Sequence, residues 1–206
     1  MTTALLELPY LPNAVWLKNY LKHDAIFVER EENFVKSSHR NRCEIAGAND
    51  RQQLSIPLAG GRDHHQLYKT VRIDNTKLWQ KIHWQSIISA YGSTPFFEYY
   101  ADRFQPFYEK QYDVLFDFNY EILQTVLKAI KAEKPFELTA MFEKEPEGKI
   151  DYRKKQHADL QTPDSSFSRY CQPFEERHGF MENLCALDLI FNLGPQTKDY
   201  LLGQKE

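Results

Sequence analysis

The sequence lacks several features that would place a protein in a class at once. Its 206 residues contain three cysteines, Cys43, Cys171 and Cys185, an odd number without the spacing of a zinc site. No apolar run approaches the roughly 20 residues of a membrane-spanning helix. The first residues also lack the basic region and long apolar core of a signal peptide. We therefore expect a cytoplasmic protein without a membrane span.

An excess of charge is also missing. The formal net charge is −3 at neutral pH, and basic residues are scattered apart from a short run at Arg153–Lys155. Because nucleic acids and anionic membranes are bound by clustered positive charge, neither is expected as a partner. There is no glycine-rich phosphate loop and no internal repeat. The sequence therefore names no cofactor.

The sequence does contain enough apolar material for one core. Hydrophobic residues make up 42% and aromatic residues 14% of the chain, and its length suits a single domain spanning residues 1–206. A short strand around Ala4–Leu8, a helix capped by Asn13 and an apolar strand at Ala25–Val28 follow each other closely. This order predicts a βαβ unit with parallel strands.

Such a unit also predicts where a ligand would lie. Ligands of parallel sheets bind beyond the carboxyl ends of the strands, near a helix amino terminus that favours anions. In this chain that position is the turn from Tyr10 to Asn13. Tyr10 is therefore a candidate substrate contact.

The remaining elements are predicted from hydrophobic periodicity and turn residues. We expect a hairpin of residues 43–46 and 53–58 around Asn49-Asp50, and strands at 69–73 and 136–142. Helices are expected from Asp74 or Asn75 to Gly92, from Thr94-Pro95 to a break or restart at Pro106, and over 117–131. Residues 143–168, low in hydrophobicity, are expected to form a long mobile loop. The predicted fold is α/β, a mixed, partly parallel sheet with surrounding helices and a C-terminal helical segment.

The last helix carries an acid on its apolar face. Asn183 is a good N-cap and Gly194-Pro195 a good stop, and between them Asp188 shares a face with Leu184, Leu187 and Phe191. An ionised carboxylate in that position needs a partner or a shifted pKa. Asp188 is therefore either a buried acid that is hydrogen-bonded for structural reasons, or a ligand-binding or catalytic group.

His83 raises the same question on the helix that ends at Gly92. It lies at the centre of the apolar face formed by Trp79, Ile82 and Ile87. One interpretation is a core histidine with satisfied hydrogen bonds. The other pairs it with Asp188, whose carboxylate would fix the imidazole tautomer and raise its pKa for general-base catalysis.

The triplet Arg40-Asn41-Arg42 is a candidate anion site. On a strand the two arginines would share one face and could clamp a phosphate or carboxylate by bidentate hydrogen bonds. The alternative is a solvated entry to a strand, neutralised by the acidic residues 29, 31 and 32. The pair His64-His65 has no third placed ligand, so no metal site is expected there.

Several segments, spread in order over nearly the whole chain, resemble the WbqC-like family. They are Pro9-Tyr10-Leu11-Pro12, Arg40-Asn41-Arg42, Leu54–Leu58, Ile73-Asp74-Asn75, Trp79, His83-Trp84, Ser86-Ile87, Tyr91, Pro95-Phe96-Phe97, Gly179-Phe180, Asn183-Leu184, Leu187–Leu189, Phe191-Asn192 and Gly194-Pro195. The sequence departs from the family pattern at Leu8 and Arg30-Glu31, where many members have a glutamine and an acidic pair. The family is named from polysaccharide (O-antigen) gene clusters, so the resemblance implies surface-glycan biosynthesis with a sugar nucleotide or acyl donor as substrate.

Two functional hypotheses follow. The first is a transferase that acts on an activated sugar or a similar small anionic substrate. In it His83 and Asp188 handle the proton, and the substrate-binding residues are Tyr10, Arg40, Asn41, Arg42, Trp84 and Asn183. The second is a non-catalytic binding or scaffold protein of a glycan-assembly complex, in which His83 and Asp188 are structural. The oligomeric state does not follow from the sequence.

Overall fold

The strands of this chain form two separate sheets. The computed structural model describes residues 1–36, 38–60, 66–132, 134–153 and 167–203. Four parallel strands, β1 (Thr3–Glu7), β2 (Ala25–Glu29), β5 (Glu137–Leu138) and β6 (Ile150–Asp151), form a sheet in the order β5-β2-β1-β6. The other two, β3 (Arg42–Ala46) and β4 (Arg51–Ser55), form an antiparallel hairpin. The predicted α/β class with a mixed arrangement of strands is confirmed.

Helices account for most of the remaining regular structure. In the described residues they are α1 (Ala14–Lys22), α2 (Trp79–Tyr91), α3 (Phe97–Glu109), α4 (Leu115–Ala129), α5 (Glu175–His178), α6 (Ala186–Leu193) and α7 (Thr197–Leu202). Short 3₁₀ turns occur at Tyr68–Thr70 and Gly194–Gln196. Among the described residues, no helix is long and apolar enough to cross a bilayer.

The βαβ unit forms as the sequence predicts. β1 pairs with β2 in parallel register from Thr3 with Ala25 to Glu7 with Glu29, and α1 connects them. Trp16 and Tyr20 of α1 are buried, because their spacing places both on the face that covers the sheet. Glu7 and Glu29 therefore end neighbouring strands side by side.

Two predicted helix boundaries are wrong, for local reasons. α3 does not break at Pro106: it continues to Glu109, since buried Phe104 and Tyr108 on either side anchor that turn in the core. α2 begins at Trp79 instead of near Asp74, because the Asp74 carboxylate accepts from the backbone N–H of Thr76 and forms a turn.

The predicted strands at 69–73 and 136–142 are mostly absent. The first is a 3₁₀ turn followed by single bridges from Arg72 to Val114 and from Ile73 to Leu58. The second shrinks to the two residues of β5. The predicted loop at 143–168 contains the edge strand β6, and its residues 154–166 lie outside the described part.

Candidate functional site

The turn from Tyr10 to Asn13 does not present free donors to an anion. The backbone N–H of Ala14 donates to the Leu184 carbonyl at 3.3 Å, and that of Val15 donates to Asn183 Oδ1 at 3.0 Å. The N–H of Trp16 donates to Asn13 Oδ1 at 2.9 Å. Because the protein itself satisfies these groups, the amino terminus of α1 has no donor left for a ligand.

Asn183 has a different partner from the one predicted. The N-cap of α6 is Cys185, and Asn183 lies two residues earlier with a left-handed φ of 58°. Its side chain caps α1, across the molecule, through the bond to Val15. The prediction that Asn183 caps the helix that follows it is therefore wrong, because a long-range partner takes its carbonyl oxygen.

His83 lies in a buried hydrogen-bond chain. Its Nδ1 is 3.0 Å from the Tyr10 hydroxyl, which is 2.9 Å from the Tyr108 hydroxyl. Burial lowers the pKa of His83 to about 4, and a hydrogen bond to the Ser55 backbone only partly opposes this. The imidazole is therefore neutral at neutral pH. Two of the predicted site residues, Tyr10 and His83, are brought together.

Asp188 has a separate set of partners. Its Oδ2 accepts from the Tyr170 hydroxyl and, at 2.8 Å, from Gln172 Nε2, and the Tyr91 hydroxyl also donates to the carboxylate. Burial raises the pKa of Asp188 to about 6, although these donors pull it down. Tyr91 and His83 are eight residues apart on α2, roughly 12 Å along the helix axis. The described hydrogen bonds therefore do not join Asp188 to His83.

The two arginines of the triplet have different environments. β3 begins only at Arg42, so residues 40 and 41 precede the strand and the two side chains do not share its face. Arg40 is 1% exposed and forms ion pairs with Glu7, at 3.3 Å, and Glu32. Arg42 and Asn41 instead line an open cavity.

This cavity has a volume of about 320 Å³, at the small end of the range for ligand pockets. Two of its described lining residues, Lys36 and Arg42, are cationic, and none is acidic. The other lining residues are Phe34, Asn41, Ile56, Pro57, Leu58, Ala59, Gly60, Gln66 and Val71. The cavity combines positive charge, two amides and an apolar wall, a composition that suits an organic anion.

The Arg42 side chain has spare binding capacity. Its Nε is buried without a hydrogen-bond partner, and no ion pair with a described residue involves it. Asn41 is held in place, because its Nδ2 donates to the Ile56 carbonyl at 3.0 Å while its own carbonyl accepts from the Ile56 N–H at 2.8 Å. The geometry therefore offers a guanidinium beside a fixed amide.

Trp84 packs against aromatic side chains of α3. Its ring stacks on Tyr108, with centroids 5.4 Å apart, and on Phe97, with centroids 6.2 Å apart. It thus fills the contact between α2 and α3 and is not among the lining residues of the Asn41–Arg42 cavity.

A group of ionic contacts at the carboxyl ends of the parallel strands is not predicted by the sequence. Arg153, 4% exposed, pairs with Glu29 at 2.6 Å and with Asp151 at 2.8 Å. Thr139 donates to the other oxygen of Glu29 at 2.6 Å. A related signal is visible in the sequence, because Glu7 interrupts the apolar run of β1 and pairs in register with Glu29 of β2. Burial raises the pKa of Glu7 to about 7, against the influence of Arg40.

A second cavity, of about 650 Å³, lies around α5. Its lining residues are Arg169, Cys171, Gln172, Phe174, Glu175, Glu176 and Arg177. Arg169 is paired with Glu175 at 2.8 Å, and the remaining charges are balanced. This cavity therefore does not select a ligand of either sign. His64 and His65 lie outside the described residues.

Comparison with known proteins places the chain in a family without adding a mechanism. The chain is 23% identical over 224 residues to the uncharacterized protein Rv1507c of Mycobacterium tuberculosis (strain ATCC 25618 / H37Rv), an alignment that covers 96% of each chain. No solved structure matches. The sequence pattern of the WbqC-like protein family matches residues 9–163, which is well over half of the chain. The chain therefore belongs to the WbqC-like protein family.

Proposed function

We propose that this protein is a cytoplasmic transferase of surface-polysaccharide assembly that binds an anionic donor in the Asn41–Arg42 cavity. The observation that carries the proposal is the guanidinium of Arg42, which lines the cavity without a carboxylate partner among the described residues. A buried or half-buried arginine without a counter-ion is a ready partner for phosphate or carboxylate.

The cavity also fits the substrate class. Both donors considered, a nucleotide sugar and an acyl-CoA, carry a diphosphate beside less polar groups. Lys36 and Arg42 supply two positive charges, and Phe34, Ile56 and Val71 supply apolar surface. Two of its lining residues, Phe34 and Lys36, belong to the segment that follows β2, and segments after the strands of open α/β sheets commonly bind ligands.

The roles of His83 and Asp188 in proton transfer stay predictions. Each has its own buried partners, so a shared dyad receives no support from their hydrogen bonds. Of the described contacts, only those of His83 lead to the edge of the cavity, because His83 bonds to the backbone of Ser55, which directly precedes the lining residue Ile56. If one of the two acts on substrate, we favour His83.

The test is a thermal-shift series with UDP-glucose, pyrophosphate and acetyl-CoA. At about 100 times its dissociation constant, a ligand stabilises the folded state by roughly 2.7 kcal/mol. We expect at least one diphosphate compound to raise the melting temperature of wild type and to lose this effect in Arg42→Ala. Arg103→Ala removes an exposed arginine on α3 and should behave as wild type. Equal shifts in Arg42→Ala and wild type would refute the site.

A non-catalytic scaffold is the second candidate, favoured by one observation. Leu78 at the start of α2, Ile82 on α2 and Tyr99 on α3 are exposed by 74%, 58% and 66%. Large exposed apolar side chains on neighbouring helices are a feature of protein interfaces. If no compound stabilises folded wild type, this candidate moves ahead, and a partner search with an Ile82→Glu control becomes the next experiment.

A further inference from the structure

Arg40 has an extensive set of buried contacts, yet it is not among the lining residues of the cavity. Its Nε lies 3.3 Å from Glu7 Oε2, its Nη2 donates to Glu32, and its Nη1 donates to the Asn33 carbonyl at 2.8 Å. The guanidinium also lies over the Tyr68 ring, 5.1 Å from its centroid. The planar fork of arginine can reach all these partners at once, which the single ammonium of lysine cannot.

The backbone around Arg40 is fixed as firmly as its side chain. Its carbonyl accepts from Asn119 Nδ2 of α4 at 2.6 Å. The carbonyl of the preceding residue, His39, accepts from the Tyr10 N–H at 2.8 Å. Asn119 also donates to the Tyr68 hydroxyl at 2.6 Å. The segment before β3 is therefore held between the end of β1, α4 and the 3₁₀ turn.

These contacts connect the two chain segments that supply the cations of the cavity. Phe34 and Lys36 line the cavity and lie one and three residues after Asn33, whose carbonyl binds the Arg40 guanidinium. Asn41 and Arg42 also line the cavity and directly follow Arg40 in the chain. The Arg40 side chain is thus a short link between the segments that carry Lys36 and Arg42.

We propose that Arg40 is a positioning residue, which sets the separation of Lys36 and Arg42 so that both contact one diphosphate. This inference rests on the proposed function of the cavity. It assigns Arg40 a role different from the direct substrate contact predicted from sequence. A ligand that bridges the two cations needs a fixed distance between them, whereas a single phosphate that contacts one cation does not.

The experiment measures binding of pyrophosphate and of inorganic phosphate to the full chain by calorimetry. The variants are Arg40→Lys, Arg42→Ala and, as a matched control, Arg153→Lys, which alters the other buried arginine with the same chemistry. We expect Arg40→Lys to weaken pyrophosphate binding about tenfold, and phosphate binding by about twofold or less. Arg153→Lys should leave both affinities at the wild-type level, even if it lowers the melting temperature as much.

The outcomes separate the two proposals. If wild type does not bind pyrophosphate, the proposed function fails and this inference fails with it. If Arg42→Ala loses binding while Arg40→Lys binds pyrophosphate as tightly as wild type, only the positioning role is overturned. A uniform loss for both ligands in Arg40→Lys also overturns it, because a fixed separation matters only to the bridging ligand.

A milder variant covers the case in which Arg40→Lys does not fold. Glu32→Gln removes one ion pair on the Lys36 side, and the contact of Arg40 with Glu7 stays. We expect a loss of pyrophosphate affinity of about threefold, again with little change for phosphate. Wild-type affinity for both ligands in Glu32→Gln would contradict the proposal.

Discussion

Asp188 illustrates how a residue can be recognised from sequence as unusual while its role depends on distant partners. Its position on an apolar helical face predicts burial, and the carboxyl is indeed fully buried. The partners are less predictable, because Tyr170, Gln172 and Tyr91 come from two other segments. All three donate to the carboxylate, so the structure places an acceptor where three donors converge.

This arrangement gives the first of our stability predictions. Asp188→Asn replaces one acceptor oxygen by a donor that faces donors, and each buried group left unsatisfied costs about 1–3 kcal/mol. Burial raises the pKa of Asp188 to about 6, so the folded state binds a proton more tightly than the unfolded state. Wild type therefore loses stability from this group as the pH rises through about 4 to 6, and the variant does not.

The measurement is urea unfolding of both proteins at pH 5 and pH 7.5. We expect the variant to be less stable at both, with a deficit about 1 kcal/mol larger at pH 5. The difference between two proteins at one pH cancels the other titrating groups. A deficit that grows toward pH 7.5 would show that the sign of the pKa shift is wrong.

At the scale of elements, a unit of about 30 residues can be predicted from its hydrophobic periodicity, whereas a strand of two residues cannot. The βαβ unit and the hairpin were predicted because their apolar periodicity and turn residues are local. The predicted strand at 136–142 shortens to β5, and β6 lies in a predicted loop, since two residues carry no periodicity and their pairing is decided by the neighbouring β2 and β1. Helix α3 similarly keeps Pro106 because of packing on either side.

The amino terminus of α1 gives the prediction at this scale. Two caps from opposite ends of the chain, Asn13 and Asn183, accept from its first N–H groups. Removing a cap costs about 0.5–2 kcal/mol. Asn183→Gly should therefore destabilise by about 1 kcal/mol, and Asn183→Ala by about 1 kcal/mol more, because alanine is disfavoured at a φ of 58° and glycine is not.

Chemical unfolding at one pH would check this, with Asn183→Asp as the control that keeps an acceptor. The aspartate variant should stay close to wild type, since the terminus of α1 also favours negative charge. If the glycine variant matched wild type, the Val15–Asn183 bond would contribute nothing to stability.

For the whole molecule, the site illustrates how far sequence alone reaches. The cavity residues Asn41 and Arg42 were predicted from their own chemistry. The burial of Arg40 was not, because it depends on Glu7 and Glu32, which approach it only in the fold. Convergence of several residues on one place depends on long-range topology, whereas the chemistry of each residue is visible in the sequence.

Two buried groups, Glu7 and His83, have pKa shifts of opposite direction. Burial raises the pKa of Glu7 to about 7 and lowers that of His83 to about 4. As the pH rises from 5 to 7.5, the contribution of Glu7 to the free energy of unfolding falls and that of His83 rises, each by on the order of 2 kcal/mol. We therefore expect these contributions to offset each other in wild type.

Single variants should expose each contribution, as measured by the free energy of unfolding across this pH range. Relative to wild type, Glu7→Gln should gain stability toward pH 7.5, because it lacks the carboxyl group whose contribution falls over this range. His83→Asn should show the opposite trend. Parallel pH profiles for wild type and both variants would refute the assignment of either group.

The pairing order of the sheet has a consequence for synthesis of the chain. Ala4 of β1 pairs with Ile26 on one side and with Ile150 on the other. At roughly 5–20 residues per second on a ribosome, the second neighbour emerges on the order of ten seconds after the first. During that interval β1 has an open edge, and unpaired edges are where nascent chains associate. The folding of this protein is therefore most exposed to chaperone binding before β6 is made.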